Sequence, residues 1–352
     1  MHTIILKVNC EKPETAKIRS AAQTIKKGRL VAFPTETVYG LGADAMNAEA
    51  VRRIYAAKKR PLDNPIIIHV ASKQDVLQLA KEVPSKAEKL MDLFWPGPLT
   101  LVLKALEKVP DATTGGLDTV AVRMPSHKVA LALIRESGVP IAAPSANLSG
   151  RPSPTTAEHV KQDLDGRIEM ILDGGSADIG VESTVLDMTV DPPQILRPGG
   201  TPYEELLEAL GKVELHPSIL ARKRTRLAKV PSPGMKHRHY APKAKLILVE
   251  GTLEAMVKKV QQIADSRKKA ERKVGILATD ETVSDYSADV IKSLGKRTDS
   301  ASAAKNLFGL LREFDEEKVD VIVAESVPLE GLGLAVMNRL RKASGYKIVK
   351  AD

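Results

Sequence analysis

Cations and small hydrogen-bonding residues recur in this sequence directly after short apolar segments. In "AAKKRPLDNPIIIHV", Lys58 and Arg60 close a helical pattern and His69 closes a strand pattern. "TVAVRMP" ends a strand pattern at Arg123, and "PIAAPSANLSGRPSP" places Ser145 after another. Loops that follow strands are where α/β proteins hold their ligands. Positive charges with hydroxyl and amide donors suit phosphate or carboxylate oxygens, so the pattern indicates an anionic ligand.

Each of these motifs also has an ordinary structural explanation. Cations at the end of a helix offset its dipole, and a single buried histidine such as His69 is often structural. Arg123 could extend its charge from a sheet edge into water. In "FPTETVYGLGADA", which we interpret as a loop between a strand and a helix, Thr35 and Thr37 could cap turns rather than bind a ligand. The residues alone leave these alternatives open.

Several well-known active-site signatures are missing from the sequence. It contains no G-x-x-x-x-G-K-[ST], no G-x-S-x-G and no H-E-x-x-H, and the glycine pairs in "YGLGAD" and "EGLGLAV" lack the third glycine of a dinucleotide fingerprint. Cys10 is the single cysteine, so we expect neither a disulfide framework nor a cysteine zinc site. No nucleophile, general base or metal cluster stands out.

Composition indicates a globular protein with two domains. The chain has 352 residues, of which 43% are hydrophobic and 28% charged. No apolar run approaches the ~20 residues that span a bilayer and no leader peptide is recognisable, so we expect a cytoplasmic protein without membrane contact. The net charge is +9, and residues 212–245 alone carry ten Lys and Arg against Glu214. The basic character therefore belongs to one segment.

The hydrophobic periodicity predicts an α/β fold with a mixed, twisted sheet, since strands do not always alternate with helices. Predicted strands lie at residues 3–8, 30–34, 65–70, 99–104, 119–124, 139–143, 167–173 and 183–188. Predicted helices lie at 14–27, 47–58, 73–81, 84–93, 127–137, 155–164 and 202–210. We predict a catalytic domain at 1–211, a basic linker at 212–243, and a small Rossmann-like domain at 244–352.

Seven ordered motifs resemble those of the YrdC-type threonylcarbamoyl-adenylate synthases. They are "PTETVYGLGADA", "KKRPLDNPIIIHV", "FWPGPLTLVL", "DTVAVRMP", "PIAAPSANLSGRPSPT", "GVESTV" and "ILRPG". The tail with "PGMKHRHYAPKAKLILVE" is similar to the long form of the family, in which a linker and a small Rossmann-like domain follow a YrdC-like domain with an open basic cavity. The resemblance covers essentially the whole chain.

This resemblance implies an enzyme that condenses L-threonine, bicarbonate or CO2, and ATP into threonylcarbamoyl-AMP and pyrophosphate. The product would serve threonylcarbamoyladenosine formation beside the tRNA anticodon. The family's catalytic tetrad falls on Lys58, Arg60, Ser145 and Asn147. The resemblance places L-threonine against Thr35, His69, Arg123, Ala143 and Ser183. It assigns ATP contacts to Lys58, Arg60, Asn64, Thr119, Ser145, Asn147, Ser153, Arg197 and Tyr240.

The same resemblance sets expectations for cofactors and partners. Mg²⁺ should accompany ATP, held by phosphate oxygens and water rather than by protein side chains, and His237 with His239 is not expected to be a metal pair. Lys59 should face away from the phosphates. The product would pass to a downstream threonylcarbamoyl transferase. RNA binding by the basic segment is the main alternative, and a carbamoyl-transfer relative of hydrogenase maturation is disfavoured because its zinc fingers are missing.

Overall fold

The structure, a computed structural model, describes residues 2–221, 223 and 239–351. These residues form two compact units. The amino-terminal unit contains residues 2–149 and 153–216, and the carboxyl-terminal unit contains 150–152, 217–221, 223 and 239–351. Half of the predicted linker, His237 included, lies outside the described residues. The predicted boundaries at 211 and 243 therefore stay a prediction.

One mixed sheet forms the frame of the amino-terminal unit. Its described strands are β1 Ile4–Lys7, β2 Val31–Phe33, β3 Gly40–Asp44, β4 Ile68–His69, β5 Leu99–Lys104, β6 Thr119–Arg123, β7 Ile141–Ala142, β8 Met170–Asp173, β9 Thr184–Asp187, β10 Gln194–Arg197 and β11 Glu214–Leu215. They are hydrogen-bonded in the order β1-β8-β2-β3-β7-β4-β6-β5-β9-β10-β11. Parallel and antiparallel pairs alternate irregularly, which confirms the predicted mixed sheet.

Helices cover this sheet and bury its apolar side chains. They are α1 Thr15–Lys26, α2 Ala48–Lys58, α3 Ser85–Phe94, α4 Asp111–Thr114, α5 Lys128–Ser137, α6 Ala157–Leu164 and α7 Tyr203–Leu210. Ile25 of α1 and Leu133 of α5 share a core with Phe33 and Leu172 of the sheet, and all four side chains are fully buried. Removing so much apolar surface from water is what fixes the strand ends where the predicted site residues lie.

The carboxyl-terminal unit is a smaller, parallel α/β domain. Its elements are β12 Lys245–Gly251, α8 Leu253–Lys269, β13 Val274–Ala278, β14 Val290–Ser293, α9 Ser300–Glu316, β15 Val321–Glu325, α10 Gly333–Ala343 and β16 Ile348–Ala351. The strands follow the order β14-β13-β15-β12-β16, and every pair is parallel. This confirms the Rossmann-like architecture predicted from the alternating pattern.

Some short elements differ from the sequence prediction. The glycine-containing segment after Pro34 continues as strand β3 instead of a loop, because Gly40 and Gly42 allow close packing. A Cβ on Gly42 would lie 2.8 Å from side-chain atoms of both Phe33 and Ile141. The helix predicted at 73–81 is a short 3₁₀ turn, Gln74–Gln78.

Candidate active site

Four of the five predicted threonine contacts lie on adjacent strands or directly beside them. His69 of β4 pairs in parallel register with Arg123 of β6, and with Ile141 of β7 on its other side. Ala143 lies two residues beyond Ile141, so it projects from the same face of the sheet. Ser183 immediately precedes β9, and its Oγ is 2.7 Å from Thr100 Oγ1 of β5. The strand order thus gathers residues that are far apart in sequence.

The fifth predicted contact, Thr35, lies in a tight buried turn after β2. Its hydroxyl donates to the Val38 carbonyl at 2.6 Å, so the 2.8 Å contact with Thr37 must be donated by the Thr37 hydroxyl. Thr37 Oγ1 in turn accepts from Arg123 Nη1 at 2.9 Å, and Arg123 Nε donates to the Gly97 carbonyl at 3.1 Å. These bonds hold the Arg123 guanidinium in one orientation.

Buried polar atoms without a hydrogen-bond partner concentrate around this guanidinium. Among the described residues, His69 Nδ1, Arg123 Nη2 and both carboxylate oxygens of Glu36 have none. Glu36 Oε1 lies 2.7 Å from Arg123 Nη2, close enough for an ion pair but outside hydrogen-bonding geometry. Burial, together with the positive Arg123, lowers the pKa of His69 to about 3, so the ring is neutral. The group has unused capacity for a polar ligand.

Glu36 was not among the residues predicted from the sequence. It is the charged residue of "PTETVYG", and a search for cations and hydroxyl donors passed over it because its sign is wrong for an anionic ligand. Its side chain is only 7% exposed, although a carboxylate strongly prefers water. A buried acid in a predicted ligand loop is the signal that could have identified it.

The tetrad residues Lys58, Ser145 and Asn147 lie together. Helix α2 is capped at its amino end by Asn47, whose side chain accepts from two backbone N–H groups, and it ends where Lys59 adopts a left-handed conformation with φ 52°. Lys58 is 1% exposed, and its ammonium donates to the carbonyls of Ser145 and Asn147. Ser145 Oγ donates to Asn147 Oδ1 at 2.6 Å. Lys59 is exposed, and its orientation relative to the phosphates stays a prediction.

Arg60, the fourth member of the tetrad, folds back on its own loop. Its Nε donates to the Asn64 carbonyl at 3.2 Å and its Nη2 to the Pro65 carbonyl at 2.8 Å. Asn64 is buried, and within the described chain its Oδ1 has no hydrogen-bond partner. The same loop therefore carries an acceptor atom, Asn64 Oδ1, and a cation, the Arg60 guanidinium.

The remaining predicted nucleotide contacts are distributed over several elements. Arg197 binds the Ser183 carbonyl through Nε at 3.1 Å and Nη2 at 2.9 Å, and Ser153 Oγ donates to Glu182 at 2.6 Å. Thr119 begins β6, four residues before Arg123, which corresponds to roughly 13 Å along the strand. The structure therefore does not bring Thr119 to the group around Arg123.

Tyr240, the last predicted contact, belongs to the carboxyl-terminal unit. Its backbone is left-handed, with φ 63°, and the side chain is buried. The ring stacks on Phe308 at 5.3 Å between centroids, and the Arg339 guanidinium lies 5.4 Å from it. Its contact with nucleotide stays a prediction.

The described residues contain no group of three or more His, Cys, Asp or Glu side chains that could hold a metal ion. No helix in the described parts is long and apolar enough to cross a membrane. A cavity of about 290 Å³ in the amino-terminal unit is lined by Ser72, Asp75, Arg135 and Pro140 among others, and by none of the predicted site residues.

A mixed α/β sheet with buried cations and hydroxyls at the ends of neighbouring strands defines a protein that binds small anionic molecules. Residues 23–199 match the Sua5, YciO and YrdC family model, described as "Telomere recombination". Residues 202–345 match the model described as "Threonylcarbamoyl-AMP synthase, C-terminal domain". The chain belongs to this family, in the long form that carries the second domain.

Known members of the family resemble the chain over nearly its whole length. It is 54% identical to the threonylcarbamoyl-AMP synthase of Pyrococcus abyssi, with 99% of each chain covered. The Bacillus subtilis protein of the same name is 50% identical, with 95% of this chain and 94% of the relative covered. The crystal structure of P. abyssi Sua5 complexed with L-threonine is 53% identical, with a TM-score of 0.94 over 99% of this chain and 100% of that one.

Proposed function

We propose that this chain is a threonylcarbamoyl-AMP synthase that condenses L-threonine, bicarbonate or CO2, and ATP into threonylcarbamoyl-AMP with release of pyrophosphate. The observation that carries the proposal is the buried group of Arg123, His69, Thr35 and Ser183, which offers a guanidinium, a neutral ring and hydroxyls within one unit. Full-length relatives carry that name, and one related structure was solved with L-threonine.

The composition of the site suits this reaction. The threonine nitrogen has to form a carbamate, and a carbamate oxygen then attacks the α-phosphorus of ATP. Carboxylate, carbamate and triphosphate are all anions, so holding and neutralising them supplies most of the catalysis. Such a nucleotidyl transfer needs no nucleophile from the protein. We assign the carboxylate of threonine to Arg123, because a guanidinium matches a carboxylate with two parallel hydrogen bonds.

The nucleotide contacts are proposed for the second group of residues. Lys58 and Arg60 supply positive charge beside the loop of Ser145 and Asn147, and Asn64 offers its free acceptor oxygen to the base or sugar. We expect Mg²⁺ to arrive on ATP, held mainly by phosphate oxygens and water, where it would offset the charge of the leaving pyrophosphate.

Three further parts of the proposal concern location and partners. We expect the enzyme to work in the cytoplasm and to hand its product to a threonylcarbamoyl transferase that modifies tRNA beside the anticodon. The basic segment could also bind RNA weakly, since ten cations in 34 residues would attract a phosphate backbone. Only 3% of the residues are aromatic, which leaves few platforms for base stacking and makes RNA binding the secondary candidate.

The proposal is tested by measuring pyrophosphate release with L-threonine, bicarbonate, Mg²⁺ and ATP. Lys58→Met should lower the rate at least a hundredfold, whereas Lys59→Met should retain it, because the two neighbours differ in burial and in contacts with the Ser145 loop. Absence of threonine-dependent pyrophosphate release by the native chain would refute the function. Equal activity of the two variants would remove Lys58 from the site.

A further inference from the structure

Glu36 is a buried acid that the contacts proposed so far do not use. Its side chain is 7% exposed and that of Arg123 is 4% exposed, and their charged atoms approach to 2.7 Å. The Glu36 backbone is fixed, because its carbonyl accepts from Ile179 N at 2.8 Å and the next carbonyl, of Thr37, accepts from Gly180 N at 3.1 Å. Neither carboxylate oxygen receives a hydrogen bond from the described residues. The ion pair with Arg123 offsets part of the cost of burying this carboxylate, but the hydrogen bonds that usually complete such a pair are missing.

We propose that Glu36 binds the α-ammonium group of the amino-acid substrate and takes from it the proton that must leave before the nitrogen can form a carbamate. The inference rests on the proposed function. An α-amino acid carries a carboxylate and an ammonium on the same carbon, so it can offer opposite charges to the adjacent Arg123 and Glu36. The substrate carboxylate pairs with Arg123 and its ammonium with Glu36, which satisfies Arg123 Nη2 and both acid oxygens.

The proton balance explains why an acid is needed at this position. The ammonium form of threonine has no free electron pair, so it cannot attack carbon. Transfer of one proton to Glu36 gives the neutral amine and the neutral acid. The amine then adds to bicarbonate, forming the N–C bond and releasing water, and the product is the carbamate anion. The proton on Glu36 returns to solvent after the product leaves.

The charged groups around Glu36 fit this exchange. Arg123 stabilises the ionised carboxylate before the substrate arrives. Burial lowers the pKa of His127, whereas the negative charges of Glu36, Asp178 and Glu11 oppose that shift. Burial and Arg123 keep His69 neutral. When the substrate carboxylate binds Arg123, it competes with Glu36 for the guanidinium nitrogen Nη2, which leaves the Glu36 carboxylate available to the ammonium group.

The test compares Glu36→Gln with Glu49→Gln, which removes an exposed carboxylate from helix α2. Binding of L-threonine and of 3-hydroxybutyrate, which lacks the amino group, is measured on the full chain by competition and calorimetry. Glu36→Gln should weaken threonine binding at least tenfold and leave 3-hydroxybutyrate binding unchanged or stronger. Equal weakening of both ligands would mean that Glu36 only supports the fold, and unchanged threonine binding would also overturn the inference.

The proton-transfer step is tested separately by the pH dependence of pyrophosphate release. Between pH 7 and pH 9 the fraction of free amine in solution rises steeply, so the deficit of Glu36→Gln in kcat/KM for threonine should shrink across this range. Glu36→Asp, which keeps the charge on a shorter side chain, should recover part of the rate. A constant deficit in kcat/KM would overturn proton transfer. Because ligand binding is measured without ATP, it tests Glu36 even if the native chain produces no pyrophosphate and the proposed function fails.

Discussion

The neutral state of His69 leads to a quantitative prediction about acid stability. Burial and the neighbouring Arg123 lower the pKa of His69 from 6.5 to about 3 in the folded chain. The unfolded chain therefore binds more protons at this residue between these two values. The contribution of neutral His69 to the free energy of unfolding is fully present above pH 6.5. It falls as the pH drops below 6.5 and stops falling near pH 3.

The size of this effect follows from the two pKa values. One unit of difference corresponds to about 1.4 kcal/mol, but between pH 7.5 and pH 5 only the unfolded chain becomes protonated. His69 alone should therefore cost about 2 kcal/mol of the free energy of unfolding over that interval. In His69→Gln, which cannot titrate, the loss between pH 7.5 and pH 5 should be smaller by that amount.

Two measurements check this prediction on the full chain. Chemical denaturation at several pH values compares the native sequence with His69→Gln, using the transition in which the amino-terminal unit unfolds. The ring signals of the histidines are recorded by NMR, and the His69 signal is assigned by its loss in the variant. This signal should show no titration between pH 8 and pH 5. A His69 midpoint near 6.5, or parallel pH dependence of the two proteins, would refute the reasoning.

Three other substitutions test the packing around the site and in the second unit. Gly199→Ala would place a Cβ 2.3 Å from the Ser183 carbonyl carbon, so the backbone must shift; calorimetry should show at least tenfold weaker threonine binding, and unchanged affinity would contradict this close approach. Thr100→Val removes the hydroxyl that contacts Ser183 Oγ at 2.7 Å and should cost about 1 kcal/mol in denaturant unfolding, whereas unchanged stability would mean that the contact contributes nothing. Gly309→Ala in helix α9 meets no atom within 4 Å and should stabilise the carboxyl-terminal unit by up to about 1 kcal/mol, so a lower melting temperature would count against it.

The fold was predictable where a pattern was long or a strand was apolar throughout. Strand β5 and helix α2 fall within a residue of their predicted positions. Strand β10, Gln194–Arg197, was missed because it is only four residues long and lies between proline-containing turns. Helix α4, Asp111–Thr114, is a single turn, too short for any helical period to appear in the sequence.

The chemical character of the candidate site was predictable from the sequence, but the contact between Arg123 and Glu36 was not. The sequence placed His69 and Arg123 at the ends of two predicted strands. These strands, β4 and β6, pair in parallel, and their register makes the two residues neighbours. It did not identify Glu36, because a search for residues that neutralise anions does not select an acid. Only the fold reveals that the acid meets Arg123 while its oxygens lack donors, since the contact crosses 87 positions of the sequence. The part of the site that we propose for the ammonium group could therefore be recognised only in the folded structure.

The hydrogen bonds of the cations indicate that the site is held rigid by the same charges that we propose for catalysis. Arg197 donates a hydrogen bond to the Ser183 carbonyl. Arg60 donates to the carbonyls of its own loop, and Lys58 donates to the carbonyls of Ser145 and Asn147. Each bond fixes a loop that carries another proposed contact, so the electrostatic field is arranged before the substrates arrive. A phosphate that binds Lys58 has to replace or share one of these carbonyl bonds. Neutralising Lys58 should therefore weaken nucleotide binding and loosen the Ser145 loop together, a coupling that the exposed neighbour Lys59 cannot reproduce.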